Sequence, residues 1–367
     1  MWLVRSGVPF HAIDNQEWKS FLASCEVSLR GATFLRQTIL PAVHGHIVNH
    51  IRAPLQKIEA VAVVIDGWEV FGRRKIGVVV RHINSNWEIR TDVVGLIEVD
   101  SKHTAPTIAS HVDARLKDLL GSNTLIAASV SDNGRNYVNA SNLITNGEAW
   151  PCFCHTLQLA IHDAFEDKST EYSRIWIRVQ EIVNMVRSSA ELRGQLQQSQ
   201  KVLDFDQELM LVSDNATRWN SQLRLAERFL QLKEPLRLMF ANVQQQTEEH
   251  FLNLHEINLL QQLCDVLRVL KRINDEMESD KVTLSLVPQR VFDMINKHLL
   301  ANPDAELPVV VKFKDALRSA VKKRFSRTLD SVTLGGIAAA LDPRTGHLGF
   351  LEKHIQDDIW KKVEKES

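Results

Sequence analysis

The chain has 367 residues, about twice the usual single-domain size, so one large domain with an insertion or two smaller domains are expected. With 44% hydrophobic and 24% charged residues the composition is that of an ordinary globular protein, which excludes a disordered or fibrous chain. Forty-four basic residues balance 45 acidic ones, so the chain as a whole carries no electrostatic footprint for nucleic acid, and any such site has to be local.

Residues 1–58 predict an all-helical segment. Trp18, Phe21 and Leu22 share one face at helical spacing, and Leu35, Leu40, Val43, Ile47 and Ile51 continue the pattern. From Ala60 the period changes. VAVVID, KIGVVVRHIN and WEIRTDVVGLIEV are rich in Val and Ile and are separated by GWEVFGRR and by Asn84 to Asn86, which predicts three strands in an antiparallel meander. TAPTIASHVDARLKDLLG then reads as an amphipathic helix with Thr104 as N-cap and Gly121 as its stop. TLIAASVSD is a fourth strand, a helix follows from about Asn136, and WPCFCH is a short fifth strand. The order β-β-β-α-β-α-β-α argues for a mixed sheet covered by helices. From about Thr156 long helical patterns take over, with breaks expected near Asp204 to Asp206, Gln244 to His250 and Asn302 to Pro308. The fold class is therefore α/β with a large all-α domain: a helical segment over 1–58, a sheet core over 59–166 and a helical domain over 167–367.

Four cysteines, Cys25, Cys152, Cys154 and Cys264, are too few and too unevenly spaced for a disulfide framework and point to a reducing compartment. No run of the ~18 apolar residues that a membrane span needs occurs, so a soluble intracellular protein without a membrane partner is expected.

Asp66 follows the apolar run Val61 to Ile65, and Asp132 follows Leu125 to Ser131 in the same way. Two neighbouring strands ending in Asp would bring two carboxylates to one sheet edge, where ligand sites gather. Such a pair suits a divalent cation, Mg²⁺ or Mn²⁺, of the kind that serves phosphoryl transfer. The bland alternative is that Asp is a good turn residue after a strand. Cys152, Cys154, His155 and His162 invite a zinc reading, but no second Cys/His pair of suitable spacing follows. His155 could face a phosphate at the start of a helix, or cap that helix with Cys152 buried as a small apolar residue. In SDNATRWNS, Arg218 suits a phosphate and Trp219 a base stack. Alternatively Asp214 or Thr217 caps the following helix and Trp219 packs into the core. KFKDALRSAVKKRFSRTL has seven basic residues and one acid, either a DNA-binding face or a solvated basic helix.

These pieces together resemble the hAT superfamily of DNA transposases and the domesticated BED zinc-finger proteins derived from it. VVIDGWEV is similar to the strand with the first catalytic Asp, with Trp68 in its usual place, and SVSDNGRNYVNA resembles the second-Asp motif. PCFCHTLQLAI is similar to the family's C-x2-H motif, TRWNS recurs in the family, and AALDPRTGHLGF and GVPFHAIDNQEWKSFL resemble further landmarks. The resemblance implies an RNase H-like core with a helical insertion, Asp66 and Asp132 as metal-binding catalytic residues, and His155, Arg218 and Trp219 near DNA. It also implies DNA as partner, protein partners through the helical domain, and a nuclear location. Two departures accompany it. The family's third acid, a Glu beyond the helical insertion, has no counterpart string here, and neither has the BED finger. The expectation is a chain truncated at both ends that does not complete strand cleavage unless Asp163 or Glu166 substitutes, with a domesticated, non-catalytic DNA-binding or protein-interaction module as the alternative.

Overall fold

A computed structural model describes residues 6–28, 30–99, 102–213, 219–242 and 251–366, which form two compact units, residues 1–150 and 151–367. The division falls at Trp150/Pro151 rather than at the expected residue 166, and the N-terminal helices belong to the sheet unit.

The first unit opens with α1 (Gln16–Ser24) and α2 (Leu40–Leu55), the latter entered through a π-helical turn over Leu35–Ile39. Three long strands follow, β1 (Ala60–Val70), β2 (Arg73–Ile83) and β3 (Ile89–Val99), then α3 (Ala105–Leu119), β4 (Leu125–Ser131), α4 (Arg135–Ile144) and β5 (Glu148–Pro151). They form one mixed sheet in the order β3-β2-β1-β4-β5. The meander is antiparallel as expected, while β1 and β4 run parallel, joined by α3 as crossover. Alternation decides which face is covered. Val63 and Ile65 of β1 pair with Val80 and Val78 of β2, and together with Val61 and Ile76, all buried, they pack against Ile108, Val112 and Leu116 of α3. Burying each of these side chains contributes roughly 1.5–3 kcal/mol.

The strands run further than the apolar runs suggested. GWEVFGRR was expected to separate β1 from β2, yet Gly67 to Val70 and Arg73 to Arg74 continue the ladder to the Val70↔Arg73 pair, leaving a two-residue turn. Phe71 (φ 50°) and Gly72 (φ 73°) both lie in the left-handed region, the geometry that matches the twist of a tight hairpin. At the next turn the Asn84 side chain accepts hydrogen bonds from the backbone N–H groups of Asn86 (3.0 Å) and Glu88 (2.9 Å). Thr104 caps α3 by accepting from the Thr107 N–H. Gly121 ends that helix where a Cβ would stand 2.7 Å from the Gln56 carbonyl oxygen.

Beyond β5 every described element is helical: α5 (Phe153–Ala164), α6 (Glu171–Ser188), α7 (Ala190–Val202), α8 (Trp219–Gln231), α9 (Lys233–Asn242), α10 (Leu254–Met277), α11 (Val287–Asp293), α12 (Pro308–Arg324), α13 (Ser326–Asp330), α14 (Leu334–Leu341) and α15 (Lys353–Glu366). The core of this unit is aromatic, with Phe313 5.1 Å from Tyr172 and 4.9 Å from Phe165 between ring centroids. α10 begins with a capping box, Asn253 accepting from the Glu256 N–H while the Glu256 carboxylate accepts from the Asn253 N–H. The expected break at Gln244 to His250 lies outside the described residues. Among the described residues no helix is long and apolar enough to cross a membrane.

The basic stretch from Lys312 onward does not form one outward face. Lys314 is only 8% exposed and pairs with Glu306, Arg318 donates to the Ile295 carbonyl at 2.8 Å, and Arg324 grips Asp163 through two 2.7 Å bonds. Three of the seven cations are thus occupied inside the helical unit.

Candidate functional site

The two aspartates come to neighbouring strand positions because β1 and β4 are parallel and in register. Val64 pairs with Val130 and Ile65 with Ser131, so Asp66 and Asp132 are the next residues on adjacent strands, about 4.8 Å apart in backbone spacing. Asp66 does not end its strand as expected. β4 stops at Ser131, but β1 continues against β2, with Asp66 opposite Gly77. Its carboxylate accepts from the N–H of Gly67 (3.0 Å), and that of Asp132 from the N–H of Gly134 (2.9 Å) at the mouth of α4. A helix N-terminus favours a negative charge there.

Tyr137 holds this corner from below. A Cβ on Gly67 would fall 1.6 Å from the Tyr137 hydroxyl oxygen, so only glycine leaves room for the ring under the strand at the position after Asp66. Burial, and after it the charges of Asp132 and Asp66, pushes the phenol up from its ordinary value to about 12. Its oxygen lies 3.2 Å from His103 Nδ1, and Asn136 donates to the His103 carbonyl at 2.7 Å, which ties the Asp132 loop to the segment before α3. The His103 imidazole is held below its usual range, first by burial and then by Arg74. Tyr137 was not singled out from the sequence. The signal that could have found it is the glycine immediately after Asp66.

Trp68 shares the sheet face of Asp66, two residues on, and its ring lies over Gly77, where a Cβ would be 3.0 Å from the indole. It is 42% exposed, so an indole surface borders the carboxylates. Around it Lys75 pairs with Glu98, Arg73 with Glu98 (3.4 Å) and Arg74 with Glu69 (3.4 Å).

The other expected site residues lie in the helical unit. Cys152 is the N-cap residue of α5, and His155 stands half-buried in that helix's first turn. The Cys154 thiol is pushed far up by its hydrogen bond with Cys152 and by burial, and it points at the Asn274 carbonyl (3.9 Å), so it is a packed, unreactive thiol. Trp219, expected to offer its ring to a base, is 2% exposed in the helical core, and its backbone N–H donates to the Gln158 side chain at 3.1 Å. The geometry favours the packing alternative for this ring. Arg218, with the capping candidates Asp214 and Thr217, lies outside the described residues. Asp163, the first substitute acid considered, has both carboxylate oxygens taken by Arg324.

Among the described residues no group of three or more His, Cys, Asp or Glu side chains converges as a metal cage. The donor set at the sheet edge is a pair of carboxylates. Such a pair fits Mg²⁺, which commonly takes one or two carboxylates and completes its shell with water and substrate phosphate.

A mixed-sheet unit with paired aspartates where a parallel strand ends, followed in the chain by an all-helical unit, sets the class. Residues 150–266 match the family model described as the ZBED1 RNase-like helical domain, a match that starts where the helical unit starts. It supports a ZBED/hAT-derived origin and points to a transposase-derived protein. Comparison with curated proteins yields no match.

Proposed function

We propose that the chain carries an RNase H-like core of a hAT-type transposase, in which Asp66 and Asp132 hold a divalent cation against a DNA phosphate. The observation that carries this reading is the parallel Ile65↔Ser131 register, after which Asp66 and Asp132 follow on adjacent strands. The strand order β3-β2-β1-β4-β5 and the family match over 150–266 support it. Bound there, Mg²⁺ or Mn²⁺ would polarise the phosphate and the attacking oxygen. The protein's own part is to fix the two acids, Asp132 by its loop hydrogen bond and Asp66 by the ladder and the phenol beneath it. The reading concerns the cation and the DNA phosphate that these two acids would hold together. A protein acting on chromosomal DNA in this way would work in the nucleus.

The second reading is a domesticated, non-catalytic module in which the helical unit binds partner proteins. Its support is the helical unit itself, where the ring expected beside DNA, Trp219, is buried in the core and Lys314 pairs with Glu306. One experiment separates the two: Mn²⁺ titration and cleavage of a labelled duplex by the whole chain and by Asp66→Asn. Mn²⁺ binding weakened at least about tenfold by the substitution, with stability within roughly 0.5 kcal/mol of the parent, supports the cation site. Equal Mn²⁺ binding by both proteins rejects it. Metal-dependent cutting lost in the variant shows that two acids suffice or that a third is supplied.

A further inference from the structure

The β1–β2 hairpin runs past the end of its neighbour. The β1–β4 ladder closes at Ile65↔Ser131, while β1 and β2 continue paired to Val70↔Arg73. The apex of this overhang is Phe71, 100% exposed and at φ 50°, where Asn, Asp or Gly would sit without strain. A bulky side chain in that conformation opposes folding, and a fully exposed ring gains nothing from burial. Neither term explains a phenylalanine at this position.

We propose that Phe71 is an apolar wedge that inserts against the base stack of DNA held at the Asp66–Asp132 edge, an inference that rests on the nucleic-acid reading above. Five residues of strand carry the chain from Asp66 to Phe71, about 16 Å, which is some five base steps along a duplex. Val70 and Trp68, each 42% exposed, precede the ring on β1, and cations follow it. Arg73 and Arg74 follow the apex, 70% and 47% exposed and steadied by Glu98 and Glu69. With Lys75 they set three positive charges beside Glu69 of the same ribbon and Glu98 of β3. An exposed ring followed by two guanidinium groups, on the hairpin that carries Asp66, suits a base stack bordered by phosphates.

The test uses the whole chain with Ca²⁺ in place of Mg²⁺, so that a cation can bridge the aspartates and the phosphate while no strand is cut, with short duplexes carrying 2-aminopurine at successive positions. The wild type is expected to bind and brighten the probe at one position, as a base loses its stacking partner. Phe71→Asn, which suits a positive φ, is expected to melt no lower than the wild type, bind about tenfold more weakly and leave the probe dark. Phe71→Trp is expected to restore both signals. Equal affinity and equal brightening by Phe71→Asn overturns the wedge while leaving DNA binding intact. Failure of the wild type to bind DNA overturns the nucleic-acid reading and the wedge with it. A Phe71→Asn protein that changes only its self-association makes the ring a contact between copies and also overturns the proposal.

Discussion

The two units handle their polar groups in opposite ways. In the sheet unit the edge where β4 stops carries carboxylates, a half-exposed indole and an exposed phenylalanine, with glycines at 67 and 77 keeping the space around them. In the helical unit some side chains of the same chemical kind turn inward: Trp219 is buried, and Lys314 and Glu306 pair at low exposure. A basic or aromatic residue therefore marks a binding surface only where the fold leaves it facing out. Residue type alone does not distinguish the two cases.

The comparison breaks most directly at Trp219. As a core ring it should cost about 3–5 kcal/mol when cut to alanine, read as a large fall in the melting temperature of the helical unit. A Trp219→Ala protein that melts normally but loses DNA affinity would put the ring on the DNA-facing side. Lys314→Met is next. Removing the ammonium strands the Glu306 carboxylate and the Leu300 carbonyl, to which Lys314 donates at 3.1 Å, and should cost about 3 kcal/mol in denaturant unfolding. A cost near zero would make Lys314 a surface cation after all.

On the sheet side Gly67→Ala drives a methyl into the Tyr137 hydroxyl and should cost roughly 1–3 kcal/mol, with the double variant Gly67→Ala, Tyr137→Ala recovering part of it. Strict additivity of the two changes would deny the contact. The smallest effect is a pH dependence. The Tyr137 phenol titrates near its ordinary 10.0 in the unfolded chain and near 12 when folded, so its contribution is complete below pH 10 and is lost as pH rises toward 12. Melting curves across that window should fall less steeply for Tyr137→Phe than for the parent, and by a modest amount because the phenol is only half-buried. Parallel curves would remove Tyr137 from the charge field of the two aspartates.

Alternation of Val and Ile made the three-strand meander readable, because burial of one sheet face imposes a period of two on the sequence. The switch to a period of 3.6 after β5 marked the helical unit in the same way. Thr104 as a cap followed from its own side chain, a local interaction that needs no knowledge of the rest of the chain. The length of β1 was not readable. Gly67 and Trp68 look like a turn until β2 supplies the partner ladder, and Phe71 in a left-handed turn contradicts its own preference. The domain boundary was also missed, because α5 follows the fifth strand in sequence but belongs to the helical unit.

What the sequence determined by itself is whatever local periodicity and local hydrogen bonding encode: the element types, the caps, and the placement of an aspartate after each of two apolar runs. Only the tertiary structure decided that these aspartates stand side by side. Strand register is a property of two distant segments, and a slip of one residue would have turned one carboxylate to the other face. Direction was likewise decided by packing, which buries the Trp219 ring and leaves Phe71 in water. Exposure depends on what the rest of the chain places against a side chain, and no single stretch of sequence carries that information.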